Sequence, residues 1–334
     1  MAIFNVILPV KNGGPLLREY VKSILAQTFG DFNLIILDNC STDDTPIWLN
    51  TLNDSRIRVI GSPIPLSIEE NWARISTIDK DEFITLIGHD DLLNPNYLET
   101  IHDLILQEPA ASLYTTHFEY IDSDGHTMRK CKPMHYRQTA CEFLQAYMHR
   151  TIDSTGTGYV MRSKDFDAAG GMDPSYKNLI FADIALWLSL THNSYKVTSP
   201  AYAFKYRVHD SVSKLTGGDD YQQGFEKFIQ FILTLMNGDP KIADLIHKDG
   251  KEFLLEYCQS LSHRILKTPK DKRNISVDEF ILKCKSYAAL MIPGQEFEPE
   301  KRFKIRVANL IDREPLIRRL FLLYKKFQGR LFFI

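Results

Sequence analysis

The chain has 334 residues, of which 44% are apolar, and its formal net charge is −2. This length and apolar fraction suffice for one large domain with an appendage. The near-neutral charge balance gives no reason to expect a nucleic acid partner. The five cysteines form no C-x-x-C pair, which argues against a zinc ribbon or a disulfide framework and favours a reducing, cytoplasmic setting.

Four apolar runs of strand length occupy the first 90 residues, and each precedes a segment with helical periodicity. The predicted strands are FNVILPV, FNLIILDN, RIRVIG and EFITLIG. We expect the opening segment to be a core strand and not a signal peptide, because it lacks a basic region and a small-residue cleavage site. One helix is expected to begin at a capping box of Ser41 and Asp44, and another after a cap by Asn94. The alternation favours a parallel, doubly wound sheet.

The pattern changes in the middle of the chain and again near its end. A long strand, a strand with a short helix, an amphipathic helix and a further strand are predicted in ASLYTTHFEYIDSDG, GTGYVMRSKDFDAAGGMD, ADIALWLSLTHN and AFKYRVH. Strand signals stop at about Asp219, and only helices are predicted beyond it. We therefore expect two domains, residues 1–218 and residues 219–334. No apolar run reaches the roughly 20 residues that a membrane span needs.

Polar side chains follow three predicted strands: Asn12, then Asp38 with Asn39, then Asp90 with Asp91. Ligands of open α/β sheets bind at the carboxyl ends of the strands, so these groups are candidates for one site. Adjacent carboxylates repel, and a hard cation such as Mg²⁺ or Mn²⁺ would relieve that repulsion. The chain has no Walker loop and its GTG at 156–158 is too short to count, so phosphates would be held by the cation. The alternative is that these residues only cap helices or form loops.

Four segments in this order resemble the family 2 inverting glycosyltransferases of the GT-A fold. They are the opening VILPVKNGG…DNCSTDDT, the metal motif LIGHDDLL, the acceptor region GYVMRSKDFDAAGGMD…FADIALWLSL, and the closing YRVHDSVSKL. The resemblance covers about residues 3–215. It implies an α/β, Rossmann-like mixed sheet flanked by helices, with a C-terminal all-helical extension. It also implies metal-dependent, inverting transfer from a nucleoside-diphosphate sugar, expected to be a UDP-sugar, to a saccharide or lipid-linked acceptor in surface polysaccharide synthesis.

The resemblance also implies a role for individual residues of this chain. The donor nucleotide would contact Pro9, Asn12, Asp38, Asn39, Asp90, Arg207 and Ser213. Within that set Asp38 would accept a hydrogen bond from the nucleobase, while Arg207 and Ser213 would lie near the diphosphate. Asp90 and His209 would ligate Mn²⁺ or Mg²⁺. The alternative is that His209 is an exposed loop histidine, but its place directly after the strand AFKYRV favours ligation if Asp90 binds the metal.

The general base implied by the resemblance is Asp183, at the start of the helix ADIALWLSL. The positive end of that helix should favour the ionised form of the carboxylate, although the same position suits a simple helix cap. Asp91 is expected to cap the turn into the next helix without touching the metal. Two positions depart from the family pattern: Gly88 stands where an aspartate is usual, and Ala182 where a glutamate is usual. They leave the metal coordination and one acceptor contact open.

Two other functions remain open at this stage. The letters HDD also occur in metal-dependent phosphohydrolases, although that chemistry usually needs several further ligands on helices. A non-catalytic module that binds sugar nucleotides on the same fold is the other alternative, because of Gly88 and Ala182.

The basic terminal segment REPLIRRLFLLYKKFQGRLFFI has two interpretations. Its amphipathic pattern suits an anionic membrane surface, and it equally suits packing on the domain or on a second subunit of a homo-oligomer.

Overall fold

The computed structural model describes residues 3–208 and 216–331, with side chains as far as residue 325. The chain divides into two compact units, Met1–Ser211 and Val212–Ile334. The first described helix of the second unit begins at Gly218. The domain boundary expected near residue 218 stays a prediction.

The first unit is built on one sheet, which has ten strands within the described residues. In chain order they are β1 Phe4–Val10, β2 Phe32–Asp38, β3 Ile57–Gly61, β4 Phe83–Leu86, β5 Leu92–Leu93, β6 Leu113–Ile121, β7 Thr127–Lys130, β8 Arg137–Gln138, β9 Tyr159–Arg162 and β10 Lys196–Arg207. Across the sheet the order is β3-β2-β1-β4-β9-β6-β10-β5, with β7 beside β6 and β8 beside β10.

The sheet is parallel in one half and mixed in the other. Strand β1 pairs in parallel with both β2 and β4, and β2 pairs in parallel with β3, as the strand-helix alternation predicted. Strand β9 then runs antiparallel between β4 and β6. Strands β1, β2 and β4 are buried over nearly their whole length, which explains their continuous apolar runs. The edge strand β3 has no fully buried residue. The mixed α/β class implied by the resemblance is confirmed.

Seven helices flank this sheet within the described residues. They are α1 Gly14–Leu25, α2 Thr45–Leu49, α3 Ile68–Ala73, α4 Tyr97–Gln107, α5 Ala140–Met148, α6 Ser163–Ala168 and α7 Ala182–Asn193. Helix α1 buries the predicted stripe of Leu17, Tyr20, Val21 and Ile24. Because apolar side chains repeat every three or four residues, one face of the helix can cover the sheet.

Two helix starts were predicted wrongly, and both errors have the same cause. Helix α2 begins at Thr45 without a capping box, because the Ser41 hydroxyl instead donates to Asp38 Oδ1 at 2.5 Å. Helix α4 begins at Tyr97, and the Asn94 amide donates to the carbonyl of Tyr202 at 2.7 Å. In each case a side chain that suits a helix cap bonds to a strand instead: Ser41 to the end of β2 just before it, and Asn94 to β10, which is distant in the sequence.

The described part of the second unit contains helices and no strand. The helices are α8 Gly218–Gly238, α9 Pro240–Lys267, α10 Val277–Met291, α11 Phe303–Arg313 and α12 Pro315–Leu331. Helix α9 packs against α8, α10 and α11. Between α8 and α9 the ring of Phe225 stacks on the ring of Tyr257, with 4.6 Å between the ring centroids. None of the helices in the described residues is both long enough and apolar enough to traverse a bilayer.

Candidate active site

The carboxyl ends of β1, β2 and β3 form the first part of the candidate site. Asp38 is the last residue of β2 and pairs with Val10 of β1 and Gly61 of β3. It is 8% exposed, and its carboxylate accepts the hydroxyl of Ser41. Pro9 lies buried within β1, beside Leu37. A partly wet carboxylate at this edge offers a hydrogen-bond acceptor to a ligand.

The loop after β2 is held by side chains of neighbouring strand ends. Asn12 adopts a left-handed backbone with φ 54°, and its Oδ1 accepts the Thr42 amide at 2.8 Å. The Asn39 side chain bonds both the N–H and the carbonyl of Leu66, at 2.7 and 2.9 Å. Asn12, Asp38 and Asn39 therefore come together at one edge, as strand-end reasoning predicted. That they bind a nucleotide stays a prediction.

The turn after β4 carries the two adjacent carboxylates. A Cβ on Gly88 would lie 2.5 Å from Asp90 Oδ1 and 3.6 Å from Asp91 Oδ2. The Asp90 carboxylate thus occupies the space above residue 88. The absence of a side chain at residue 88 is what allows Asp90 to take this position.

Asp91 is 2% exposed and holds three segments together. Its Oδ1 accepts the backbone N–H of Arg207 at 3.0 Å, and its Oδ2 accepts the Thr157 hydroxyl at 2.8 Å. Burial raises the pKa of Asp91 well above its usual range, and the charge of Asp90 adds to the rise. The expected turn cap was therefore wrong, because both oxygens bond to residues distant in the sequence.

Arg207 is buried, with 1% of its side chain exposed. Its Nε donates to the carbonyl of Asp90 at 2.7 Å, and its Nη1 donates to the carbonyls of Asp122 and Ser123 at 3.1 and 2.8 Å. Its Nη2 donates to Glu19 at 2.8 Å. The guanidinium therefore positions the Asp90 turn against the β6–β7 turn. Its predicted contact with a diphosphate stays untested.

His209 and Ser213 lie outside the described residues, so the second predicted metal ligand is not placed. Within the described residues, one group of three potential ligands lies close together: Asp122, Asp124 and His126. Asp122 Oδ1 already accepts the backbone N–H groups of Asp124 and His126, both at 2.9 Å. These contacts account for the cluster as the turn between β6 and β7.

Asp183 is the second residue of α7 and is partly buried. Its Oδ2 lies 3.3 Å from where a Cβ on Gly156 would stand. Burial raises the pKa of Asp183, and the backbone N–H of Ile184 only partly offsets that rise. The expectation that the helix start would favour the ionised form is corrected, since desolvation outweighs the N-terminal amides. A raised pKa makes the carboxylate a stronger base.

A short loop connects Asp183 to the carboxylate turn. Trp187 of α7 donates to the carbonyl of Thr155 at 3.1 Å, and the Thr155 hydroxyl donates to the carbonyl of Thr157 at 2.7 Å. Thr157 in turn donates to Asp91. Helix α7 and the turn after β4 therefore both bond to the loop of residues 155–157.

The side chain of Tyr206 gives independent support for this juxtaposition. Burial raises the pKa of its hydroxyl, and the charges of Asp91, Asp90 and Asp183 raise it further. All three carboxylates therefore lie within electrostatic range of one ring. Sequence reasoning missed Tyr206, which has no distinguishing pattern within a strand.

Sequence reasoning also set aside the segment 156–158, although each residue has a role. Gly156 lies against Asp183, and Thr157 bonds Asp91. Gly158 has φ 80°, and a Cβ there would stand 2.7 Å from the ring of Phe204. The two glycines with a polar residue between them were the available signal.

Comparison with known proteins agrees with this fold. Residues 5–166, just under half of the chain, match the family described as "Glycosyl transferase family 2". It is 27% identical over 126 residues to glycosyltransferase GlyG of Streptococcus pneumoniae, covering 37% of this chain and 42% of the relative. It is 24% identical over 228 residues to O-antigen biosynthesis protein RfbC of Myxococcus xanthus, covering 65% of this chain and 17% of the relative. Each match thus spans less than half of the relative.

The fold resembles that of Staphylococcus aureus TarS residues 1–349, whose crystal structure contains UDP-GlcNAc. The TM-score is 0.59 at 12% sequence identity, and the similarity covers 93% of this chain and 91% of that chain. At this identity the likeness shows the fold alone.

The buried position of Asp91 makes a prediction about stability and pH. Because its folded pKa lies above the unfolded value, the ionised carboxylate costs stability as the pH rises. Asp91→Asn can still accept from Arg207, and it does not titrate. We expect its free energy of unfolding, relative to wild type, to increase between about pH 4 and about pH 7 in urea titrations. Asp91→Ala, which leaves the Arg207 N–H and Thr157 unpaired, should lose about 1–3 kcal/mol. A relative stability of Asp91→Asn that falls with pH would contradict the analysis.

Proposed function

We propose that this chain is an inverting glycosyltransferase that uses a divalent cation and a nucleoside-diphosphate sugar, with UDP as the nucleotide. The observation that carries the proposal is the loop of residues 155–157, which bonds to Asp91 through Thr157 and to Trp187 of α7 through Thr155, while Gly156 lies against Asp183. Asp90 is suited to bind a cation and Asp183 to accept a proton, and inverting transfer needs both groups in one cleft. The match of residues 5–166 to glycosyl transferase family 2 is consistent with this chemistry.

The donor would lie at the ends of β1, β2 and β4. Asp38 supplies an acceptor for the N3–H of uracil, and Asn12 with Asn39 maintains the loop beside it. Pro9 lines the floor from β1. The structurally similar TarS binds UDP-GlcNAc, which supports uridine as the base.

The carboxylate oxygens of Asp90 suit a hard cation such as Mn²⁺ or Mg²⁺. Asp91 has both oxygens bonded to the protein, whereas Asp90 is partly exposed and is the carboxylate of the pair suited to a ligand role. His209 is proposed as a second ligand. Bound Mn²⁺ or Mg²⁺ would supply charge stabilisation to the departing diphosphate. Arg207 and Ser213 are proposed to lie beside that diphosphate, Arg207 through the turn that it positions.

Asp183 would remove the proton from the acceptor hydroxyl during transfer. Its carboxylate lies against Gly156, where the lack of a side chain leaves room on that side of the carboxylate. The raised pKa of Asp183 suits the task, because a base is most effective when its pKa lies nearer the working pH. No second carboxylate is proposed as nucleophile, so displacement is direct and inverts the anomeric centre.

The two other functions have less support. The HDD letters follow a strand, and the described residues contain no helical set of His and Asp ligands such as a phosphohydrolase needs. A non-catalytic module would not need a buried carboxylate with a raised pKa beside the donor site. The match to RfbC favours a role in surface polysaccharide synthesis, with a saccharide or lipid-linked acceptor. None of the five cysteines forms a disulfide, which suits the cytoplasm.

We further propose that α12 contacts an anionic membrane. Leu316, Leu320 and Leu323 recur at spacings of four and three along α12 and are 78%, 67% and 57% exposed. Exposed Arg319 lies next to them in the sequence, so this leucine surface combines apolar and basic groups. Arg318, assigned to the same basic surface from sequence, is instead buried and donates to the carbonyls of Leu266 and Thr268. It attaches α12 to the end of α9.

Asp90→Ala should abolish the Mn²⁺-dependent turnover of a UDP-sugar. Because the cation would lose its carboxylate ligand, we expect a fall of roughly 10²-fold or more in transfer or in donor hydrolysis. The readout is released UDP, measured with Mn²⁺ and with EDTA. Asp124→Ala, in the exposed turn cluster, is the matched control and should keep wild-type turnover. The proposal fails if Asp124→Ala loses Mn²⁺ dependence while Asp90→Ala keeps it.

Asp183→Asn should lower kcat by about 10²–10⁴-fold while leaving the Kd for UDP unchanged. The carboxylate accepts a proton only when ionised, so the wild-type rate should rise with pH through the raised pKa of Asp183. That acid limb should lie above the usual range of an aspartate. Asp173→Asn, an exposed change earlier in the same segment, serves as control. Retention of more than about a tenth of the rate in Asp183→Asn would exclude the base assignment.

The leucine surface predicts binding to anionic vesicles. We expect co-sedimentation with vesicles of phosphatidylglycerol and phosphatidylcholine, and loss of it with phosphatidylcholine alone. Replacing Leu316, Leu320 and Leu323 together by serine should abolish binding. A matched triple change at the exposed leucines 106, 282 and 290 should not. If instead the first triple variant only dissolves a dimer in light scattering, the surface joins two copies of the chain and the membrane proposal is wrong.

A further inference from the structure

A polar pocket of about 390 Å³ lies in the helical unit, next to the start of α10 and the end of α11. Its lining includes Lys270, Arg273, Asn309, Asp312 and Arg313. None of these residues takes part in the proposed transfer reaction. The pocket therefore needs its own explanation.

Two buried guanidinium groups share one buried carboxylate beside this pocket. Arg273 and Asp312 have side chains that are 4% and 3% exposed, and Arg273 Nη2 donates to Asp312 Oδ1. Arg318 Nε stands 3.4 Å from the same oxygen. The other carboxylate oxygen accepts the backbone N–H of Val277 at 3.1 Å. The buried cluster thus has one positive charge more than it has negative charges.

The excess positive charge affects the pKa of Arg318. Burial lowers its pKa, and the charge of Arg273 lowers it further, ahead of the opposing effect of Asp312. A buried charge without a counter-charge is costly, so an anion in the pocket would stabilise this cluster.

Two buried polar atoms of the lining have no hydrogen-bond partner within the described residues: Arg273 Nη1 and Asn309 Oδ1. The orientation of the Asn309 amide follows from its Nδ2, which donates to Asp278 Oδ1 at 3.1 Å. The pocket therefore offers a charged donor and a neutral acceptor. Buried polar groups are nearly always paired, so two such atoms on one pocket indicate a ligand with both functions.

The rim of the pocket adds further positive charge. Lys270 is exposed, and Arg313 is 60% exposed in its ion pair with Asp278. Both can move toward a ligand without unpacking the core. An anion would thus meet one fixed guanidinium and two mobile cations.

We propose that this pocket binds a small anion that carries a phosphate group. Arg273 Nη1 and Lys270 donate to phosphate oxygens, and Asn309 Oδ1 accepts a hydroxyl proton of the ligand. Hydrogen phosphate and hydroxyl-bearing phosphate esters provide both groups. Sulfate at neutral pH has no proton to donate, so it satisfies only the cationic side. The assignment is independent of the transferase activity.

The test uses the full chain in EDTA, so that cation-dependent binding at the donor site does not contribute. Inorganic phosphate should raise Tm by about 2–4 °C more than sodium chloride of equal ionic strength, and more than sulfate. Lys270→Gln should need roughly tenfold more phosphate for the same shift. Lys272→Gln, the same change two residues away and outside the lining, should behave as wild type. Asn309→Leu should remove the preference for phosphate over sulfate.

Each outcome decides the proposal. A phosphate shift no larger than that of chloride, or an equal loss in Lys270→Gln and Lys272→Gln, would overturn it. Glycerol 1-phosphate distinguishes the sources of the group: if it stabilises the chain at lower concentration than phosphate and with the same Lys270 dependence, the ligand is an organic phosphate ester. If only inorganic phosphate acts, the ligand is the free ion. Both of these results support a phosphate site.

Discussion

The carboxylate of Asp91 is the contact on which the site depends. A buried strand that ends in two adjacent aspartates has to separate their charges or shield them. Here Asp91 points inward and accepts from the Arg207 N–H and the Thr157 hydroxyl, while Asp90 stays partly exposed. Those two donors only partly offset the burial that raises the pKa of Asp91. They also join the end of β4 to β10 and to the loop before β9. Asp91 thus serves the structure, and Asp90 is the carboxylate that we propose to bind the cation.

Arg207 extends the same arrangement outward. Its guanidinium bonds to the carbonyl of Asp90 and to the turn between β6 and β7, so the backbone beside the proposed cation site is held from two strands. Gly88 and Gly156 contribute by having no side chain: one leaves space for the Asp90 carboxylate and the other for that of Asp183. Gly88, a departure from the family pattern, thus has a steric consequence of its own, because the Asp90 carboxylate fills the space that a side chain would occupy.

In the helical unit the buried charges are arranged differently. Arg318 interacts with the end of α9 and Arg273 with Asp312, which places two guanidinium groups around a single carboxylate. From sequence, Arg318 looked like part of a basic surface, because a helical period does not say which side of a basic stripe faces inward. The buried Arg318 attaches α12 to the end of α9, whereas Leu316, Leu320 and Leu323 of the same helix are exposed. The same burial creates the excess positive charge beside the pocket that we propose to bind phosphate.

The sequence by itself determined the strands β1 to β4, the extent of α7 and α10, the family resemblance and the gathering of Asn12, Asp38 and Asp90 at one edge. These depend on local periodicity and on the rule that parallel strands end together, and neither requires knowledge of distant contacts. The tertiary structure alone decided what each polar side chain bonds. Ser41 and Asn94 looked like caps but bond Asp38 and Tyr202, and Asp183 is governed by burial more than by its helix. The partner of Asn94 is far away in the chain, that of Ser41 is a nearby strand end, and the desolvation of Asp183 depends on tertiary packing. Periodicity carries no information about any of these.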